Sequence, residues 1–454
     1  MPSGTVAPDA DFREILVDFG SETQPFYIGR ASVAVPGVVA GLCRMAESRG
    51  ALPLPVLLEP AIRLARSGAV LSPALEYILD ILLPIFTDTP TMASLYQTQG
   101  QTYRAGAQMV FPLLADALEQ LGKVGPELFY SGAVDAAIVS DQQSHGGLVT
   151  AADLTNYRVG ESTPIRIEYR INEILLPPPA SSGGVLIAFT LKLLGNVDIS
   201  EIAHNSYEHV CLLAEAIRLT SIARHDWERG NGNAERRVSE FLSSAHLEKY
   251  ATELQAVLAG SAPRQAADFA PGPASTTHIS VVNEYDTVVS LTFSAEENAG
   301  FVLGDTGVFL NNMLGEIDLH PDGFHRHPAE TRLQTMMSPV VVRQRGLPVL
   351  AIGSGWSNWL RSAILQVVSN SLDFGMPLQA AIDAPRVHFE SDVLQLEGGI
   401  DPRVAARCEQ AGYRVNLWPE RNMFFGGAHG VARQSGSLVA AGDARRGGVI
   451  AIVE

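Results

Sequence analysis

The residues best suited to chemistry lie in one stretch, Ser275-Thr276-Thr277-His278-Ile279-Ser280-Val281-Val282, where hydroxyls open a β-branched run. A threonine hydroxyl is a poor nucleophile at its own pKa and needs a base. A free α-amino group on the same residue, titrating near ~8, can supply one. An internal threonine has no such amine. Scission between Ser275 and Thr276 would create it: the Thr276 hydroxyl would attack the preceding carbonyl, the amide would become an ester, and water would release the new terminus. The segment just before, Phe269 to Ala274, is rich in proline and glycine and suits an exposed linker in which strain can assist the attack. Taken alone, the tripeptide is better explained by two threonines that simply begin a half-buried strand; its context decides otherwise.

The elements around this segment change character at the linker. Upstream, residues 53–68 place Leu54, Leu57, Leu58, Ala61, Ile62 and Ala65 at helical spacing with Gly68 as a stop, and a longer helix is expected from His204 to Trp227. In that longer helix Tyr207, Val210, Ala214 and Ile217 form the apolar stripe, while Arg218 and Arg224 face outward or pair. Downstream, His278–Val282 and Thr287–Phe293 read as strands around a four-residue loop. Pro339–Val342 and Pro348–Ile352 read the same way, and Val449–Val453 reads as a last strand. Strands grouped with flanking helices favour packed antiparallel sheets covered by helices. No internal repeat or low-complexity tract is present.

Composition bounds the partners. The 454 residues are 46% hydrophobic and 18% charged, which is a globular composition, and 49 acidic against 32 basic residues give a net charge of −17. That charge repels phosphate backbones and anionic lipid, so neither nucleic acid nor a membrane is an expected partner. Cys43, Cys211 and Cys408 are far apart in sequence, without a CxxC or Cys/His cluster. They indicate neither a disulfide framework nor a zinc site, and read as buried apolar fillers. The first twelve residues lack a basic start followed by an apolar stretch, so the chain as written is expected to be cytoplasmic.

In order along the chain stand Ala31-Ser32-Val33-Ala34-Val35-Pro36-Gly37, Pro60 to Gly68, and Pro177-Pro178-Pro179-Ala180-Ser181-Ser182-Gly183-Gly184. After the Thr276 segment come Gly307 to Asn312, Met336 to Pro339, Gly353-Ser354-Gly355, Ala384 to His388, Gly426 to His429 and Gly442 to Arg446. This succession resembles the γ-glutamyltransferase family of N-terminal-nucleophile hydrolases over nearly the whole chain. The resemblance implies an α+β fold, a four-layer αββα sandwich, built as one structural unit from a large fragment, 1–275, and a small one, 276–454, that stay associated. It implies that Thr276 is both the self-cleaving group and the nucleophile that takes a γ-glutamyl-like acyl group as an ester, without metal or organic cofactor.

By the same resemblance, Ser294 is a proton relay near the nucleophile or a strand-end serine, and Gly355, Trp356 and Ser357 belong to the loop whose backbone N–H groups form an oxyanion hole. Asn312, Gln334 and Thr335 fall among substrate-binding positions, with Gln334-Thr335 where the family has a Ser-Ser pair. Glu316 accepts the substrate ammonium or is a solvated loop carboxylate.

Trp356 and Trp359 stand where many relatives have glycine and arginine. They either narrow the pocket or pack structurally. A GGGGF-type strand region and a carboxylate-binding arginine, usual upstream in the family, have no match here, and Arg13 is given no role. Either the true start lies further upstream or a central strand layer has been shortened, leaving an unpaired edge. The altered pocket leaves two further readings open. One is hydrolysis of a carbon–carbon bond in a small acidic precursor, as in some relatives of secondary metabolism; the other is an inert, unprocessed homologue that binds a ligand or partner.

Overall fold

Pro53 and Gly68 bound the first expected helix closely. It runs Leu54–Ser67, with proline in its first turn and Gly68 at φ 94°, a left-handed conformation that ends the helix and that a side chain would resist. The second expected helix runs Tyr207–Arg229, begun by the Ser206 side chain accepting from the His209 N–H. It is buried nearly all round, and Arg218 and Arg224 pair instead of facing outward. Arg218 pairs with Glu215 at 2.7 Å and Glu253 at 3.0 Å, and Arg224 pairs with Glu228 at 2.6 Å.

The computed structural model describes residues 9–18, 23–230, 232–260, 276–320, 323–328, 330–355 and 359–453. They form two units, each drawing on chain from both sides of position 275. The described residues of the first fall within 9–161 and 294–332. In it, Arg13–Asp18 pairs antiparallel with Thr23–Ile28, and helices Val38–Arg49, Leu54–Ser67 and Pro112–Val124 accompany the ribbon. One core joins Val33, Phe129, Ile138 and Leu154 to Phe301 and Leu310. Arg13 is taken up here by Asp88 at 2.7 Å and Asp11 at 2.9 Å.

The described residues of the second unit fall within 162–260, 276–293 and 333–453, and hold a six-stranded antiparallel sheet. Its order is Ser437–Ala441, Gly427–Gln434, Leu347–Gly355, Val340–Gln344, Asn172–Leu176 and Ile165–Tyr169. Side chains alternate across a strand. Leu350 and Ile352 therefore join the helical core of Ser182–Gly195, Tyr207–Arg229 and Trp359–Leu372, while Gly353 and Gly355 face the other way, toward the strand Thr276–Val282. That strand and Val288–Ser294 form a separate two-stranded sheet. The order helix, sheet, sheet is thus built as expected in an α+β fold.

The expected hairpin strands are present with shifted ends, as are Val340–Gln344 and Leu347–Gly355. Residues 449–453 form no strand: their side chains are exposed, Val453 at 94%, and β-propensity alone cannot make a strand without a neighbour to pair with. Among the described residues, no helix is long and apolar enough to cross a membrane.

Candidate active site

Thr276 and His278 point the same way from their strand, and both are buried. What receives them is a trough of small residues on the six-stranded sheet. A Cβ on Gly355 would lie 2.3 Å from the Thr276 carbonyl oxygen, and one on Gly353 would lie 2.2 Å from His278 Nδ1. Across the sheet Gly355 pairs with Gly427, where a Cβ would meet Arg446 at 2.6 Å, and Gly353 pairs with His429. Arg446 Nη1 would also lie 2.8 Å from a Cβ on Gly355. Glycine at 353, 355 and 427 is therefore a requirement of close approach, which sets the height of Thr276 above the sheet.

The two ring nitrogens of His278 share hydrogen bonds of 2.8 Å with the hydroxyls of Thr292 and Ser280. Burial, with His429 nearby, pushes the imidazole down to about 3, so it is neutral at ordinary pH and acts as a fixed polar spacer. Gly353→Ala has no room for its methyl group unless His278 and its strand move. We expect self-cleavage and turnover to fall about 10²-fold, the cost of misplacing a reacting group by about 1 Å. A gel time course checks this, and unchanged cleavage would contradict the trough's role.

Ionic bonds in the second unit fix the strand beside Gly355. Arg386 and Asp443 pair at 2.6 Å, Arg445 bonds Glu397 at 2.5 Å and Asp443 at 3.1 Å, and all four side chains are buried. Arg386 also donates to the carbonyls of Phe425 and Gly426, and Asp443 accepts from the Ala428 N–H. The sequence motifs at 384–388 and 442–446 thus meet at the head of strand Gly427–Gln434. Likewise Ser181 donates to the Met337 carbonyl at 2.7 Å and Ser182 N–H to the Thr335 carbonyl at 3.0 Å, joining the Pro177–Gly184 motif to Met336–Pro339. Thr335 Oγ1 accepts from the Met337 N–H, while Gln334 is exposed. Trp359 is buried, donates to Glu390 at 2.9 Å and lies 3.6 Å from the Phe424 ring centroid, so its role is to pack. Ser275, Trp356 and Ser357 lie outside the described residues.

In the first unit, Ser294 Oγ accepts from the Glu296 N–H at 2.9 Å. Asn312 is buried and spans its loop, accepting from the Glu297 N–H and donating to the Tyr27 carbonyl. Glu316 is also buried, not solvated, and lies with Glu296 and Glu297 in a cluster whose carboxylate oxygens fall within 4.8 Å of one another. Burial, then the neighbouring carboxylates, raise Glu296 and Glu316 well above the ordinary range. Sequence reasoning singled out Glu316 alone. The adjacent acidic pair at 296–297 was visible, but nothing local marks a pair that will be buried opposite a third carboxylate.

Helices cover one face of the antiparallel sheet and a threonine-headed strand the other, the arrangement expected of an N-terminal-nucleophile hydrolase. The cephalosporin acylase from Bacillus halodurans shares the fold at TM-score 0.78 and 22% identity, over 100% of this chain and 88% of that one. Residues 4–453 match the gamma-glutamyltranspeptidase family, and the chain belongs to it. It is 32% identical over 395 residues to an acylase ACY 1 proenzyme of Pseudomonas sp., covering 86% of this chain and 70% of the relative. To a glutathione hydrolase proenzyme of Escherichia coli it is 28% identical over 404 residues, covering 84% and 69%.

Proposed function

We propose that the chain cuts itself between Ser275 and Thr276, that segments 1–275 and 276–454 stay associated, and that Thr276 then transfers or hydrolyses the acyl group of a γ-glutamyl-like small-molecule amide. The observation that carries this reading is the seating of a buried Thr276 against Gly355 at the head of its strand. In the reaction the Thr276 hydroxyl attacks the substrate carbonyl while its own amine takes the proton. Ser294 relays a proton, and backbone N–H groups of the 355–357 loop stabilise the oxyanion by roughly 3 kcal/mol each. Gln334, Thr335 and Asn312 are assigned to substrate contacts.

Edman sequencing of the purified protein should find a terminus beginning Thr-Thr-His, and the same material should release p-nitroaniline from γ-glutamyl-p-nitroanilide. Cleaved protein that ignores this compound but turns over a p-nitroanilide whose acyl group lacks an amine would replace γ-glutamyl by a simple acyl substrate. Inertness toward both would favour carbon–carbon bond cleavage.

Glu316 is assigned to the substrate ammonium, and its electrostatics make two testable statements. Its folded-state pKa lies above the ordinary value of 4.5, so the native chain holds a proton that the unfolded chain gives up. Stability therefore falls as pH rises above about 4.5 toward the raised value. Glu316→Gln, a permanently neutral mimic, should melt higher than wild type at pH 7–8, by roughly 2–4 °C for each kcal/mol relieved, and the gain should vanish near pH 4. In kinetics it should raise KM for the amine-bearing substrate only, because an arriving ammonium favours the ionised carboxylate, which glutamine cannot supply. A lower melting temperature at pH 8 would refute the first statement, and an unaltered KM the second.

A further inference from the structure

In the second unit, helix Tyr207–Arg229 packs against helix Pro402–Gln410, and side-chain pairs join it to that helix and to the residues just after it. Near one end Glu208 and Arg407 make an ion pair at 3.2 Å, with the Arg407 guanidinium 4.1 Å above the Tyr207 ring. Two turns on, the Tyr413 hydroxyl donates to Glu215 at 2.7 Å. Positions 208, 211 and 215 share one face of a helix. Between the two fixed pairs, the Cys211 thiol meets the Cys408 thiol on one side and the Tyr207 hydroxyl on the other. Both thiols are free and belong to the same core, Cys211 at 7% exposure and Cys408 at 0%. Cysteines 197 positions apart in sequence are thus held face to face, which their spacing could not reveal.

We propose that Cys211 and Cys408 form a modification site, at which a low-molecular-weight disulfide oxidises the two thiols to a bond joining segment 1–275 to segment 276–454. The Cys211 thiolate attacks one sulfur of the external disulfide and expels a thiolate, leaving a mixed disulfide on Cys211. Cys408 then loses its proton and attacks the Cys211 sulfur, closing the bridge and expelling the second thiolate. Two protein thiols are oxidised, one external disulfide is reduced to two thiols, and the two protein protons end on those products. Cys211 is the attacking group because it is the less deeply buried of the two, 7% exposed against 0% for Cys408. Cys43, buried in the first unit, serves as an internal control.

The bridge itself does not depend on the proposed cleavage; only its linking of two fragments does, and the test separates them. Native protein is incubated with 2-hydroxyethyl disulfide, and thiols are counted after denaturation. The count should fall from the three free cysteines to one, with a mass loss of two hydrogens and a Cys211–Cys408 peptide on mapping. Cys408→Ser should instead trap the mercaptoethanol adduct on Cys211. In cleaved protein, a non-reducing gel should show one band that dithiothreitol resolves into two. Uncleaved protein gives one band in both gels, yet its thiol count still tests the bridge. Three remaining thiols, or adducts on wild type without a bridge, would overturn the proposal.

Discussion

Thr276→Ala should run as one undivided band on a denaturing gel where wild type gives two, and should lose acyl transfer by at least about 10⁴-fold. The size follows from removing the nucleophile itself, whose loss in other acyl-transfer enzymes leaves only residual catalysis from the remaining site. Two losses coincide here, because alanine has no hydroxyl to attack the Ser275 carbonyl and none to take an acyl group. Thr276→Ser keeps the hydroxyl without the methyl group and should retain slower cleavage. The pH profile adds a separate check: with the α-amine as base, kcat should rise as that amine loses its proton near ~8. An uncleaved wild type that nevertheless turns over substrate would eliminate the amine as base.

Asp443→Asn should destabilise the protein by about 3–5 kcal/mol, the usual cost of removing one partner of a buried ion pair. Asp443 accepts from Arg386 at 2.6 Å, Arg445 at 3.1 Å and the Ala428 N–H at 2.9 Å, so the amide would leave two buried guanidinium groups short of charge. Burial opposes ionisation of Asp443, but Arg386 and Arg445 prevail and hold its pKa below the ordinary 3.8. A depressed carboxylate stabilises the fold above the unfolded value and loses that contribution as pH falls through the folded one. The gap between wild type and variant in urea midpoint should therefore be full at pH 6–8 and close in strong acid. A loss below about 1 kcal/mol at pH 7 would mean that the network is dispensable. Because strand Gly427–Gln434 carries the glycine opposite Gly355, cleavage should also slow in whatever fraction still folds.

Much of this architecture is written locally. Pro53 and Gly68 fixed one helix to within a residue at each end, and the β-branched runs after Thr276 identified strands whose ends moved only slightly. Where reading failed, the missing information was tertiary. For Arg218 the sequence left open an outward face or a pair, because helical periodicity places the residue but cannot show Glu253, which comes from another helix. Residues 449–453 have the composition of a strand, yet pairing requires a neighbour that composition does not specify.

Glycines 353 and 355 were legible as part of a family motif, with Gly355 in the expected oxyanion loop, but the imidazole and the carbonyl pressed against them were not. Glu316 illustrates both sides, since its place was legible from the family resemblance while its burial with Glu296 and Glu297 was not.

The ladder between Glu173–Leu175 and Val341–Arg343 runs through the middle of the six-stranded sheet and crosses the Ser275–Thr276 junction in sequence. While the polypeptide is continuous, forming that ladder is a first-order event. Once severed, the same hydrogen bonds must be remade between two molecules, so renaturation becomes second order and its yield depends on dilution. Maturation would thus make folding a journey taken once, with the finished enzyme surviving by the slowness of its unfolding and not by its capacity to reassemble.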